Sequence, residues 1–262
     1  MISRGKAKGG LRIRVVGPYG GSAPGCRMTT FLLNDTTALD AGALTPVLAI
    51  AEQRRIDRVV VTHAHFDHVA TLPFFFENVF GRRTPIEIAA PAPVLSALRR
   101  HLFNDALWPD FTRLPSRRRA TVRFHPIPGG GAYRAAGLSF RPVAVSHIVP
   151  TFGYLVSSKS ASVLFSGDTG PTRALWKLAE SAKNLKAIFL EVSFSNGQEA
   201  VALASKHLIP RLLEAEIAKC GGNVPVYLYH MKPPSAAAIR REVRALKNPR
   251  LRFVRQGQVL RF

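Results

Sequence analysis

Acidic residues and cysteines are scarce in this sequence, and long apolar runs are missing. Sixteen Asp and Glu stand against 37 Lys and Arg, a formal net charge of +21 at pH 7. Only two cysteines occur, Cys26 and Cys220. They exclude a disulfide framework, lack the spacing of a metal site, and read as inert thiols in a reducing compartment, so a cytoplasmic protein is expected. No stretch reaches the roughly 18 apolar residues of a transmembrane helix, so no membrane partner is expected. The basic start, MISRGKAKGG, runs into LRIRVV and not into an apolar stretch with a small-residue cleavage site. No secretory signal is expected there. Repeats and low-complexity linkers are also missing, so one domain over residues 1–262 is the expectation. What is present is a hydrophobic fraction of 47%, enough for a sizeable core and too much for a disordered chain.

The positive charge fits nucleic acid, small anionic substrates, or a solvated surface with no specific partner. Its distribution is uneven. Residues 80–141 carry a net +8 and residues 201–262 a net +9, so two segments hold 17 of the 21 charges.

Strands and helices interleave, which gives an α/β (or α+β) class. LRIRVV alternates as a half-buried strand does, and GPYGGSAPGCR is a loop. TTFLLN and ALDAG read as two strands with a turn at Asp35. Thr45 and Pro46 predict an N-cap and first turn for a helix over VLAIAEQRR. DRVVVTH, FRPVAVSH, SVLFSGD, LKAIFLEVS and VPVYLYH read as apolar strands. Helices are predicted around 172–182, 208–219 and 235–246, with Gly221 just past the second and Ser235 capping the third. LRFVRQGQVLRF predicts a hairpin around Gln256 and Gly257.

The stretch THAHFDHVATLP, residues 62–73, carries the chemistry. His63 and His65 are two apart, which puts both imidazoles on one side of an extended chain. Asp67 and His68 follow as the strand ends. Four such groups can serve two cations, and imidazole with carboxylate suits Zn²⁺, and also Mn or Fe. His147, Asp168 and His230 each end an apolar run, where open α/β sheets place their sites. Singly, His147 fits a loop, Asp168 a helix cap and His230 a core histidine. With the first cluster they complete three histidines on one metal, two on the other, and a shared Asp168.

This arrangement resembles the metallo-β-lactamase fold superfamily. The resemblance implies a four-layer αββα sandwich of two similar halves. It implies a dinuclear centre on His63, His65, Asp67, His68, His147, Asp168 and His230, with Asp40 supporting the metal loop without being a ligand. THAHFDHVATLPFFFENVFGRR, HLFNDALWPDFTRLP, VLFSGDTGPT, LEVSFSN, SKHLIP and YHMKP are similar to the class II 3′,5′-cyclic-nucleotide phosphodiesterases. Thr71 and Lys206 depart from that subgroup, which usually has Gly at both. Thr71 bears on local packing, whereas Lys206 places a cation beside a candidate catalytic residue.

Two cations roughly 3.5–4 Å apart can hold a bridging hydroxide at neutral pH and clamp an in-line displacement at phosphorus. The expected reaction is hydrolysis of a 3′,5′-cyclic nucleotide to a 5′-nucleotide, with Asp67 orienting the nucleophile. The resemblance implies that His207 contacts the substrate or protonates the leaving oxygen; such help is worth roughly 10²–10⁴-fold. Asn104 and Trp108, in RRHLFNDALWPDFTRLP, are expected to wall the site and contact the base. The alternative is an RNA-processing endonuclease of the tRNA 3′-end type, favoured by the basic charge but lacking an inserted Gly/Pro-rich arm. A binding module that kept its metals is a third reading, and thioester or lactone hydrolysis fits the same metal residues. The partners expected are a small anionic substrate or RNA, and a homodimer is compatible with the sequence.

Overall fold

The computed structural model describes residues 10–262; the segment 1–9, on which most of the secretory-signal expectation rests, lies outside the described residues. One seven-stranded sheet contains β1 (Arg12–Gly17), β2 (Thr30–Leu33), β3 (Thr37–Leu39), β4 (Arg58–Val60), β5 (Ile86–Pro91) and β6 (Val122–Ile127). The other contains β7 (Tyr133–Ala135), β8 (Leu138–Ala144), β9 (Phe152–Ser157), β10 (Ser162–Phe165), β11 (Leu185–Glu191), β12 (Val226–Tyr229) and β13 (Leu251–Phe253). The last strand, β14 (Val259–Arg261), returns to the first sheet beside β1. The orders are β14-β1-β2-β3-β4-β5-β6 and β13-β12-β11-β10-β9-β8-β7. Each sheet has an antiparallel half that passes into a parallel half, at β3–β4 in one and β10–β11 in the other. The chain is therefore two similar halves.

Both faces of the central strands are covered, which explains their unbroken apolar runs. In β4, Val60 faces the core between the sheets, whereas Val59 faces the outer layer. Phe189 of β11 points between the sheets, and Ile188 and Leu190 point outward. Between the sheets, Phe165 and Phe189 stack at 4.6 Å, and Phe31 meets both edge-on or tilted. Truncating such a buried Phe to Ala costs about 3–5 kcal/mol. Outside the first sheet lie α1 (Ile50–Gln53), α2 (Phe66–Val69), α3 (Leu72–Asn78) and α4 (Ala92–His101). Outside the second lie α5 (Ala174–Glu180), α6 (Glu199–Ser205), α7 (Pro210–Ile217) and α8 (Ala236–Ala245). Leu72, Phe75, Val94 and Leu98 close one outer core, and Trp176, Leu213, Ile217 and Ile239 the other. The result is the four-layer αββα sandwich.

Four local expectations change. The helix expected at Thr45 begins at Ala49, whose amide donates to Glu52 Oε2 at 3.0 Å; residues 44–48 form a turn instead. The tail is not a hairpin: β13 and β14 belong to different sheets, and the turn at Gln256 and Gly257 carries the chain from one to the other. The left-handed glycine after α7 is Gly222 (φ 84°), not Gly221. Ser235 stands at the start of α8, but its hydroxyl bonds Gln198 Oε1 rather than the helix backbone.

Candidate metal centre

The loops after the C-terminal ends of β3, β4, β10, β11 and β12 converge at one end of the sandwich. His63 and His65 follow β4 in extended chain, and their rings meet at 4.7 Å. Asp67 and His68 lie on the single turn of α2. Asp168 follows β10, and His230 follows β12 in a left-handed conformation (φ 69°). His147 lies three residues beyond β8, where Gly170 N donates to Ser146 O at 2.8 Å and ties its loop to that of Asp168. Donor atoms of His63, His65, His147 and Asp168 lie within 4.8 Å of one another, as do those of Asp67, His68 and His230. Asp168 stands between the groups, with Oδ2 3.6 Å from His63 Nε2 and 3.2 Å from His230 Nε2.

Two of the imidazoles, His68 and His230, are held from behind by buried side chains. Asp40 Oδ2 binds His68 Nδ1 at 2.7 Å, and its other oxygen accepts from the Thr62 amide at 2.8 Å. Ser193 Oγ donates to Glu191 Oε2 at 2.7 Å and so accepts from His230 Nδ1 at 2.8 Å. Both Nδ1 atoms are thus donors, and the Nε2 atoms of His68 and His230 face each other at 3.0 Å. With both Nδ1 protons engaged behind the rings, the facing Nε2 atoms need a metal cation or a proton between them. His63 Nε2 and Asp168 Oδ1 are buried without a hydrogen-bond partner among the described residues. Buried orphans call for a partner, and an ion between the two groups would supply one. The donor set fits a divalent metal, with imidazole and carboxylate donors and outer partners that fix the rings.

Protonation divides the histidines: burial opposes charge on His68, but Asp168 and Asp40 outweigh it and raise its pKa well above the ordinary range. Burial pushes His63, His65 and His147 below the ordinary histidine range, so they are neutral and able to bind metal. Burial opposes ionisation of Asp67, but His230 and His68 outweigh it and hold the carboxyl well below its usual range. Burial likewise opposes charge on His207, and Glu191, 2.7 Å from its Nδ1, outweighs it and raises its pKa.

A model of the beta-lactamase superfamily domain matches residues 32–247. The chain belongs to the beta-lactamase superfamily. Among its relatives in this superfamily, the "Probable 3′,5′-cyclic-nucleotide phosphodiesterase" of Yersinia pestis is 28% identical over 85% of this chain and 78% of its own length. The ribonuclease Z of Mycobacterium sp. (strain KMS) is 27% identical over 72% of this chain and 70% of its own. The solved structure of unliganded yeast PDE1 has the same fold, with a TM-score of 0.79 and 16% identity over 96% of this chain and 99% of that one. The superfamily fold, with its His and Asp cluster, implies use of a divalent metal.

Around this superfamily centre, the other residues singled out in the sequence fall as follows. His207 is buried, neither surface nor N-cap, and one of its nitrogens lies within 4.8 Å of donor atoms of Asp168 and His230. Thr71 is buried and bridges, accepting from Leu44 N at 2.9 Å and donating to Ala41 O at 2.6 Å. Lys206 ends α6 with φ 55°, a backbone that favours glycine, and its Nζ reaches His147 O at 3.3 Å. Asn104 is spent on its own chain, accepting from Ala106 N and Leu107 N and donating to Arg100 O. Trp108 packs against Phe74 at 5.3 Å. The cavity beside His65 is walled by α2, α4 and the loop after β8, and neither Asn104 nor Trp108 lines it. The expected contact of these two with the base is therefore withdrawn.

Two supports went unread in the sequence. Glu191 is fully buried and accepts from Thr169 N, Ser193 Oγ and His207 Nδ1. It ends an apolar strand run, the same signal that marked Asp168. Gly20, in the glycine-rich loop, lies so close to His230 that a Cβ there would sit 2.5 Å from the imidazole.

Proposed function

We propose that this chain is a metal-dependent phosphodiesterase that hydrolyses 3′,5′-cyclic nucleotides to 5′-nucleotides with two divalent cations, zinc being the cation its donors suit best. The observation that carries the reading is a pair of adjacent donor groups, His63, His65, His147 and Asp168 in one and Asp67, His68 and His230 in the other, with Asp168 Oδ1 3.3 Å from His68 Nε2 and Oδ2 3.2 Å from His230 Nε2. His63, His65 and His147 would hold one cation and Asp67, His68 and His230 the other, with Asp168 placed to serve either. A cation pair supplies water activation at neutral pH and neutralises charge on the phosphoryl oxygens. Asp67, fixed by Lys232 Nζ at 3.1 Å and held ionised, orients the attacking water. Glu191 binds His207 through Nδ1, which leaves Nε2 to hold a proton for the departing 3′ oxygen. Among the described residues no helix is long and apolar enough to cross a membrane, and both cysteines are free.

The second reading is an RNA-processing endonuclease, favoured by the ribonuclease Z relatives and the charge of +21. One panel separates the two. Metal-loaded protein is incubated with cyclic AMP, cyclic GMP, a 2′,3′-cyclic nucleotide, a precursor tRNA and a thioester. Cleavage of the 3′,5′-cyclic nucleotides is expected; cleavage of the tRNA alone would overturn the proposal.

A further inference from the structure

A cavity of about 310 Å³ borders the metal centre at His65. Its walls come from three places: His65 and Phe66 at the start of α2, Ala97 and His101 on α4, and Val149 and Pro150 in the loop after β8. Apolar surface dominates the lining, and the ring nitrogens of His65 and His101 are its main hydrogen-bonding side-chain groups. The size is at the small end of ligand pockets, which run from about 300 to 1,000 Å³. It has room for one flat group and not for a folded polymer.

Phe66 makes the cavity unusual. It stands in the chain between two metal donors, His65 and Asp67, yet its side chain is 63% exposed. Ile148, beside Val149, is 55% exposed. A large aromatic exposed at the rim of an apolar cavity offers a stacking face to a flat ligand. Two of the walls are anchored: Val69 of α2 and Val94 and Leu98 of α4 belong to the buried outer core. The cavity is therefore a fixed recess whose contents lie directly beside whatever the metal donors hold.

We propose that this recess is a base subsite. It takes the heteroaromatic base of a nucleotide whose phosphate is at the metal centre, with Phe66 stacking on the ring and His101 hydrogen-bonding its edge. The phosphate's place rests on the phosphodiesterase reading; the affinity for a base does not. Flat apolar walls with one imidazole at the edge suit a ring that has π-faces and polar edge atoms. An alkyl or acyl chain would leave His101 unmatched.

Adenosine, which has no phosphate to bind the metals or to be cleaved, tests the subsite by itself. Calorimetric titration of the full chain, metal-loaded, is compared with Ala97→Trp, which fills the recess from a half-buried position on α4, and with Phe66→Ala. Adenosine binding is expected in the parent protein. It should weaken by at least about tenfold in either variant, the scale of one lost base stack, with metal content unchanged. The KM for cyclic AMP should rise by a similar factor. If adenosine binding responds in this way but no cyclic nucleotide is hydrolysed, the phosphodiesterase reading falls and the subsite stands. If cyclic AMP is hydrolysed and Ala97→Trp changes neither its KM nor adenosine binding, the subsite is refuted. Tighter binding of hexyl phosphate than of 5′-AMP would also refute it.

Discussion

Asp168 concentrates the chemistry of the molecule in one carboxylate, because its two oxygens lie 3.6 Å from His63 Nε2, 3.3 Å from His68 Nε2 and 3.2 Å from His230 Nε2 and so touch both donor groups. Asp168→Ala should lose turnover and bound metal together, read by a cyclic AMP assay and by elemental analysis of the same sample. Asp40→Ala should act more mildly. It removes the carboxylate behind His68 without removing a donor, and such losses weaken metal affinity by about 10–100-fold. A metal titration in competition with a chelator measures this. Glu191→Gln should keep its metals and lower kcat, since it removes the charge that holds a proton on His207. At this scale the sequence was legible where chemistry follows from spacing: alternation along an extended chain brings the His63 and His65 rings together. It misled where orientation decides. Nothing in the letters of HLFNDALWPDF says that the Asn104 carboxamide turns back on its own backbone. Glu191 was readable and missed; its place at the end of an apolar run matched that of Asp168.

The elements position these residues, and their ends carry the strain. Lys206 pays for a left-handed backbone at the end of α6, which costs an L-residue roughly 1–2 kcal/mol. Lys206→Gly should therefore raise the midpoint of thermal unfolding despite losing the contact to His147 O. Gly20 is the opposite case: Gly20→Ala should displace the His230 ring and lower metal content, because the Cβ has no space. Apolar runs such as DRVVVTH and LKAIFLEVS announced their strands, since both faces are buried. The tail could not be read this way. A turn between two strands looks the same whether they pair with each other or, as β13 and β14 do, with strands of two different sheets. Local pattern is blind to which edge is free.

For the whole molecule, the excess of 21 positive charges is what the scarcity of Asp and Glu leaves behind. It makes salt response diagnostic. A protein touching six to ten nucleic-acid phosphates loses about 10³–10⁵ in affinity from roughly 50 to 200 mM salt. A cyclic nucleotide has one phosphate, so kcat/KM for cyclic AMP should change only a few-fold over that range, measured at constant metal. The most direct test of the dinuclear phosphodiesterase is a metal titration of the stripped protein with cyclic AMP turnover as the readout. Turnover should be absent without metal and should reach its full value as the second equivalent of zinc is bound. Full turnover in the metal-free protein, or none with both equivalents bound, would contradict the account.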